Sequence, residues 1–133
     1  QKKNCFSEKM KEILGQDLTP YFSKSLLCVA GTMTSLSSMF LGLVEFNDKA
    51  IDGHEINFSA FKEFCADLQK TNTENLLLLF PYLGKRAPML SAGALVAELI
   101  GEKLQIEKLQ ISTRGLRYGV VIQGKIDESF ITK

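Results

Sequence analysis

A chain of 133 residues with 45% hydrophobic, 9% aromatic and 23% charged positions has the composition of an ordinary globular domain. At that length about two-thirds of the unfolded surface can be buried, enough for one core and too little for two. Lys and Arg number 16 against 15 acids, a net charge of +1. A disordered chain, a coiled coil and a DNA-coating protein are excluded, and no overall field draws nucleic-acid polymers or anionic membranes.

In chain order, Phe6, Met10, Ile13 and Leu14 share one helical face, with Gly15 at the place of a C-terminal cap. Thr19-Pro20 opens a short turn. Leu26 to Ala30 is a continuous apolar run that ends at a glycine, the pattern of a buried strand. Leu36, Met39, Phe40 and Leu43 then repeat at helical spacing. A polar connection follows from Glu45 to Glu55. Asn57 is placed to cap the next helix, with Ile56 and Phe61 as a hydrophobic staple, and this helix runs to about Leu68. Thr71 to Glu74 has capping-box spacing and introduces Leu76 to Phe80, which Pro81 ends. Ser91 is read as the cap of a helix through Leu95, Val96, Leu99 and Ile100. Leu109 to Ser112 forms a second strand, Thr113 to Gly119 a turn, and Val120 to Ile122 either a helix start or a third strand. Two or three strands make a narrow sheet with open edges. Further strands are expected upstream of Gln1, and self-association through the open edge is expected.

Cys5, Cys28 and Cys65 are an odd number without C-x-x-C or histidine at ligand spacing, which argues for reduced thiols in a cytoplasmic protein. Ser25 to Val44 carries no charge, but its glycines, serines and threonines make a poor membrane span. No signal peptide precedes it, and the absence of an initiator Met points to a fragment or a trimmed chain.

Chemistry concentrates where strands end. Ala30-Gly31-Thr32-Met33-Thr34-Ser35 joins a strand to a helix, where free N–H groups and hydroxyls suit phosphate oxygens. The same residues also serve as a plain turn and helix cap. Ile111 to Gly119 places Arg114 and Arg117 among glycines, either to hold phosphate by bidentate contacts or to bond carbonyls or a carboxylate. Gly84-Lys85-Arg86 is a third basic point, or a solvated loop. His54 is the single histidine, and no G-x-S-x-G or G-x-x-x-x-G-K-[ST] occurs. Asp48 and Asp52, four apart in a loop, could hold Mg²⁺ or simply bind water.

In this order the segments resemble the second half of the Ppx/GppA family of exopolyphosphatases and guanosine pentaphosphate phosphohydrolases. Ala30-Gly31-Thr32-Met33-Thr34 matches its G-G-T-x-T loop, and Ile51-Asp52-Gly53-His54 loosely matches its V-H-G. The stretch from Arg86 to Gly93-Ala94 matches its G-R…G-A segment, and Ser112 to Gly119 matches S-x-x-G-L-R-x-G in full. Three departures stand out: Ala30 for the first loop glycine, Gly53-His54 in reversed order, and Tyr118 where the family often has Glu.

The resemblance implies an α/β chain forming part of an actin-like, ribonuclease-H-like lobe, with a narrow, mostly parallel sheet and several helices. It implies one wall of a cleft whose other lobe, lying N-terminal, carries the catalytic glutamate. Cleavage of a terminal phosphoanhydride of polyphosphate or guanosine pentaphosphate would use Mg²⁺, with its ligands mostly upstream. In this chain the resemblance assigns phosphate holding to Gly31, Thr32, Thr34, Gly115 and Arg117. It leaves Arg86, Arg114 and His54 as further cleft residues. It assigns no catalytic residue or metal ligand here, and the isolated chain is expected to be inactive. A non-catalytic module that binds nucleotide or polyphosphate, or mediates dimerisation, is the alternative.

Overall fold

The computed structural model describes residues 8, 12, 15 and 19–124. The first predicted helix, carried by Phe6, Met10, Ile13 and Leu14, lies outside the described residues, as does Cys5. Among those described, nine elements follow in order: β1 (Ser25–Val29), α1 (Gly31–Phe40), α2 (Asp48–Ile51), β2 (Glu55–Asn57), α3 (Phe58–Lys70), α4 (Thr73–Leu79), α5 (Ala87–Leu104), β3 (Lys108–Ser112) and α6 (Leu116–Gln123). Short 3₁₀ turns cover Thr19–Tyr21 and Pro81–Arg86.

The sheet has the order β1-β3-β2. β1 and β3 are parallel, in a register from Ser25↔Lys108 to Val29↔Ser112. Parallel neighbours need a long crossover, which the segments from α1 to α5 supply. β2 runs antiparallel to β3, pairing Ile56 with Leu109. This third strand is absent from the sequence reading because three residues are too few for an alternation to register. Val120 to Ile122, which the sequence leaves open as a helix start or a third strand, is helical.

Helices cover one face of the sheet. Leu109 and Ile111 of β3 and Ile56 of β2 are fully buried there, together with Leu36, Phe61, Cys65 and Leu90. Phe61 lies 6.4 Å from the Phe58 ring and 6.2 Å from Phe64, and burial of such a side chain contributes about 1.5–3 kcal/mol. Residues of β1 alternate: Cys28 is buried, but Leu27 and Val29 are exposed. The run Leu26 to Ala30 predicts burial on both faces, whereas only one face is covered by the described residues.

Local capping sets the helix boundaries. Asn57 caps α3 as the sequence predicts, its Oδ1 accepting from Ser59 and Ala60 N–H. The α4 cap is Asn72, whose Oδ1 accepts from Asn75 N–H at 2.8 Å; Thr71, the predicted cap, instead donates its hydroxyl to the Asp67 carbonyl. Ser91 does not start a helix, because α5 begins at Ala87 with Pro88 in its first turn. Proline tolerates that position because the N–H it lacks would be an orphan anyway.

Candidate functional site

Because β1 and β3 are parallel neighbours, their carboxyl ends open at one edge of the sheet. A helix starts just beyond each end, α1 at Gly31 and α6 at Leu116. Between these starts lies a half-open cavity of about 880 Å³. Its walls bring together Gly31, Thr34, Arg86, Gly115 and Arg117, which come from three separate sequence segments. Lys85 joins them, and the one carboxylate among the lining residues is Asp48. Three cations therefore face one acid.

The backbone adds to this positive end. Neither Ala30 nor Gly115 caps its helix with a side-chain hydrogen bond. In α1 the first helical bond runs from Thr34 N–H to the Ala30 carbonyl, so the N–H groups of Gly31, Thr32 and Met33 have no helical acceptor. In α6 that first bond runs from Tyr118 N–H to the Gly115 carbonyl at 2.9 Å, which leaves Leu116 and Arg117 N–H in the same condition. An anion at such a terminus gains about 0.3–1 kcal/mol, and up to about 2 when partly buried.

Arg86 is brought in by the first turn of α1. A Cβ on Gly31 would sit 3.2 Å from the Arg86 Cζ and Nη1, so the guanidinium rests directly over the bare glycine. Ala30 just before it has φ 76° and ψ 169°, a region that is nearly glycine-only. That is the position where the resemblance supplies a glycine.

A family model described as the Ppx/GppA phosphatase family matches residues 4–126. The chain belongs to that family. Among solved structures, an exopolyphosphatase-like protein aligns with a TM-score of 0.80 at 17% identity, over 92% of this chain and 42% of that one. The Ppx/GppA family member of Aquifex aeolicus aligns with a TM-score of 0.73 at 19% identity, over 88% of this chain and 39% of that one. The fold is thus the actin-like α/β fold of Ppx/GppA proteins, and the chain spans about two-fifths of their length. The search of curated proteins gave no match.

Not every residue that the family resemblance singled out reaches the cavity. Thr32 is absent from its walls; its methyl packs over Gly93 of α5, where any Cβ would collide with it. Only its main chain stays at the helix start. The Thr34 hydroxyl lines the cavity but turns back onto the Ala30 and Gly31 carbonyls at 3.3 and 3.2 Å, which uses its single proton. His54 sits beneath α1 instead, its Nδ1 3.0 Å from Ser37 Oγ and its ring 6.1 Å from Phe40. Burial lowers its pKa. Arg114 also leaves the cavity, its Nε 3.4 Å from Asp52 Oδ2.

Lys85, Asp48, Tyr82, Phe46 and Tyr118 also line the cavity. Lys85 was visible as a basic point. Tyr82 was not: its OH lies 2.8 Å from Ser38 Oγ, a contact across 44 residues that no local spacing reveals. Among the described residues no group of three His, Cys, Asp or Glu is placed to hold a metal ion. Asp52 is occupied by Ser112, Thr113 and Arg114, and Asp48 stands alone, so these side chains do not by themselves fit a Mg²⁺ site.

Proposed function

We propose that this cavity holds the terminal phosphates of a phosphoanhydride, inorganic polyphosphate or guanosine pentaphosphate, as one wall of the cleft of a phosphohydrolase. The observation that carries this reading is the pair of uncapped helix starts facing three cations across one cavity. Hydrolysis breaks the bond between the terminal phosphorus and its bridging oxygen, and charge spreads over the phosphoryl and leaving oxygens. The Gly31 and Thr32 N–H groups, with Arg86 and Arg117, would hold that charge in place without supplying a base. In this reading the base, the Mg²⁺ ligands and the other cleft wall belong to a preceding lobe, and this chain alone releases no phosphate. No described helix is long and apolar enough to cross a membrane. Cys28 and Cys65 are buried and not joined in a disulfide, compatible with the cytoplasm, where we place the protein.

Titration of inorganic tripolyphosphate by calorimetry tests the reading. Arg86→Ala and Arg117→Ala should each weaken binding by about tenfold, equivalent to about 1.4 kcal/mol. Unchanged affinity in both variants, at unchanged melting temperature, would remove phosphate from this cavity.

A further inference from the structure

The loop from Ser112 to Gly115 leads from β3 to the first turn of α6, and it delivers Arg117 to the cavity. One carboxylate on a distant segment grips this loop. Asp52 Oδ1 accepts from Thr113 N–H at 2.9 Å and from the Ser112 hydroxyl at 3.1 Å. Its Oδ2 lies 3.4 Å from Arg114 Nε, and Ser112 Oγ in turn accepts from Arg114 N–H at 3.1 Å. Three consecutive residues are thereby tied to one side chain.

Asp52 is itself fixed. It follows α2, whose Ile51 is fully buried, and it precedes Gly53, which has φ 79°. Gly53 N–H donates to the Ile111 carbonyl at 2.8 Å, and Ile111 N–H donates to the His54 carbonyl at 2.9 Å. The turn that carries Asp52 is thus riveted to the end of β3 by backbone bonds, and its carboxylate points onward to the next three residues. Bonds from Thr113 N–H and the Ser112 hydroxyl hold its carboxyl below the ordinary carboxylate range, with Arg114 adding to the effect. Asp52 does not line the cavity, so it cannot touch a ligand there.

We infer that Asp52 is a positioning residue: it sets the Thr113–Gly115 loop so that the α6 start and Arg117 face the anion. Arg114 serves the same clamp as a strut, which explains why one arginine of the pair enters the cavity and its neighbour does not. This inference rests on the phosphate reading for its ligand, but the clamp itself can be tested without one.

The experiment compares wild-type full-length protein with Asp52→Ala and Asp52→Asn. It measures amide hydrogen exchange and tripolyphosphate affinity on the same preparations. Asn keeps an Oδ1 that accepts from Thr113 and Ser112 while losing the charge toward Arg114. Asp52→Ala should speed exchange of the Thr113 to Gly115 amides by about tenfold or more, leave Leu109 to Ile111 protected, and weaken tripolyphosphate by about tenfold. Asp52→Asn should recover most of both losses. Unchanged loop exchange in Asp52→Ala overturns the proposal, as does a rise spread equally over β3, which marks general destabilisation. Wild-type protein that binds no tripolyphosphate overturns the phosphate reading, and with it the ligand half of the inference. In that event the exchange comparison still decides whether Asp52 holds the loop.

Discussion

Ala30 offers a direct measure of the strain stored beside the cavity. Its φ of 76° and ψ of 169° lie in a region where an L side chain costs about 1–3 kcal/mol. The conformation is enforced from the next turn, because the Ala30 carbonyl accepts both the N–H and the hydroxyl of Thr34, at 3.2 and 3.3 Å. Ala30→Gly relieves the strain and loses little packing, since residue 30 is exposed. The looser unfolded chain takes back about 0.4–1 kcal/mol. A net gain of about 0.5–2 kcal/mol follows. With an unfolding entropy of about 2.1 cal/mol/K per residue, each kcal/mol moves Tm by about 4 °C in a domain of this size. Thermal melts followed by far-UV circular dichroism should therefore show Ala30→Gly higher by about 2–7 °C. Ala30→Val, branched at Cβ, should melt below wild type. An Ala30→Gly melt equal to or below wild type would refute the argument that this backbone is strained.

The remaining expectations concern the cavity, its underside and the core. In the phosphohydrolase proposed above, Arg117→Ala should lower kcat/KM by about tenfold or more, and Arg117→Lys should recover little, because a point charge does not reproduce a planar fork. Unchanged kcat/KM with a lowered Tm would make Arg117 merely structural. Burial depresses the His54 pKa, so the folded state binds its proton less readily than the unfolded chain does. Stability from this group is present above the unfolded value of about 6.5 and is lost as pH falls below it, a slope that His54→Gln should flatten in urea melts across pH 5–8. A Cβ on Gly101 would collide with the Phe58 ring, so Gly101→Ala should lower stability by about 1–3 kcal/mol despite its better helix propensity. A stabilised variant would show that the ring moves aside freely.

The sequence made legible whatever depends on near neighbours. The apolar run before Gly31 and the spacing of Leu36, Met39 and Phe40 locate β1 and α1, and the run Leu109 to Ser112 locates β3. The parallel pairing of β1 with β3 then brings Gly31 and Arg117 to one edge. Contacts between distant segments were out of reach. Nothing near Asp52 announces Ser112 or Thr113, some sixty residues on, and both loop aspartates read equally as solvated groups. By spacing alone Arg114 and Arg117 likewise look equivalent, although one faces Asp52 and the other the cavity. The buried serines of α1 tell the same story. Ser37 and Ser38 lie outside the apolar stripe of Leu36, Met39, Phe40 and Leu43, yet both are fully buried against His54 and Tyr82, their hydroxyls satisfied by partners the spacing cannot show.

The two helices that start just beyond β1 and β3 at the cavity have no side-chain cap, and the consequence of this can itself be tested. α2, α3 and α4 each begin with an asparagine side chain bonded to a backbone N–H: Asn47, Asn57 and Asn72. α5, preceded by Arg86, has none, and neither do α1 and α6. If their free N–H groups serve an anion, a built-in carboxylate should satisfy the helix and exclude the ligand. Gly115 is the place to insert it, since its φ of −77° and ψ of −168° are open to any residue and a Cβ there would meet nothing within 4 Å. Gly115→Asp should gain a few tenths of a kcal/mol up to about 1 from capping and the helix dipole, a small rise in Tm. The same substitution should weaken tripolyphosphate by well over tenfold, because the carboxylate takes the donors and repels the phosphate. Gly115→Asn separates these effects, since it caps without charge and should weaken binding less. A Gly115→Asp protein that melts higher and binds tripolyphosphate as tightly as wild type would show that the α6 start faces no anion.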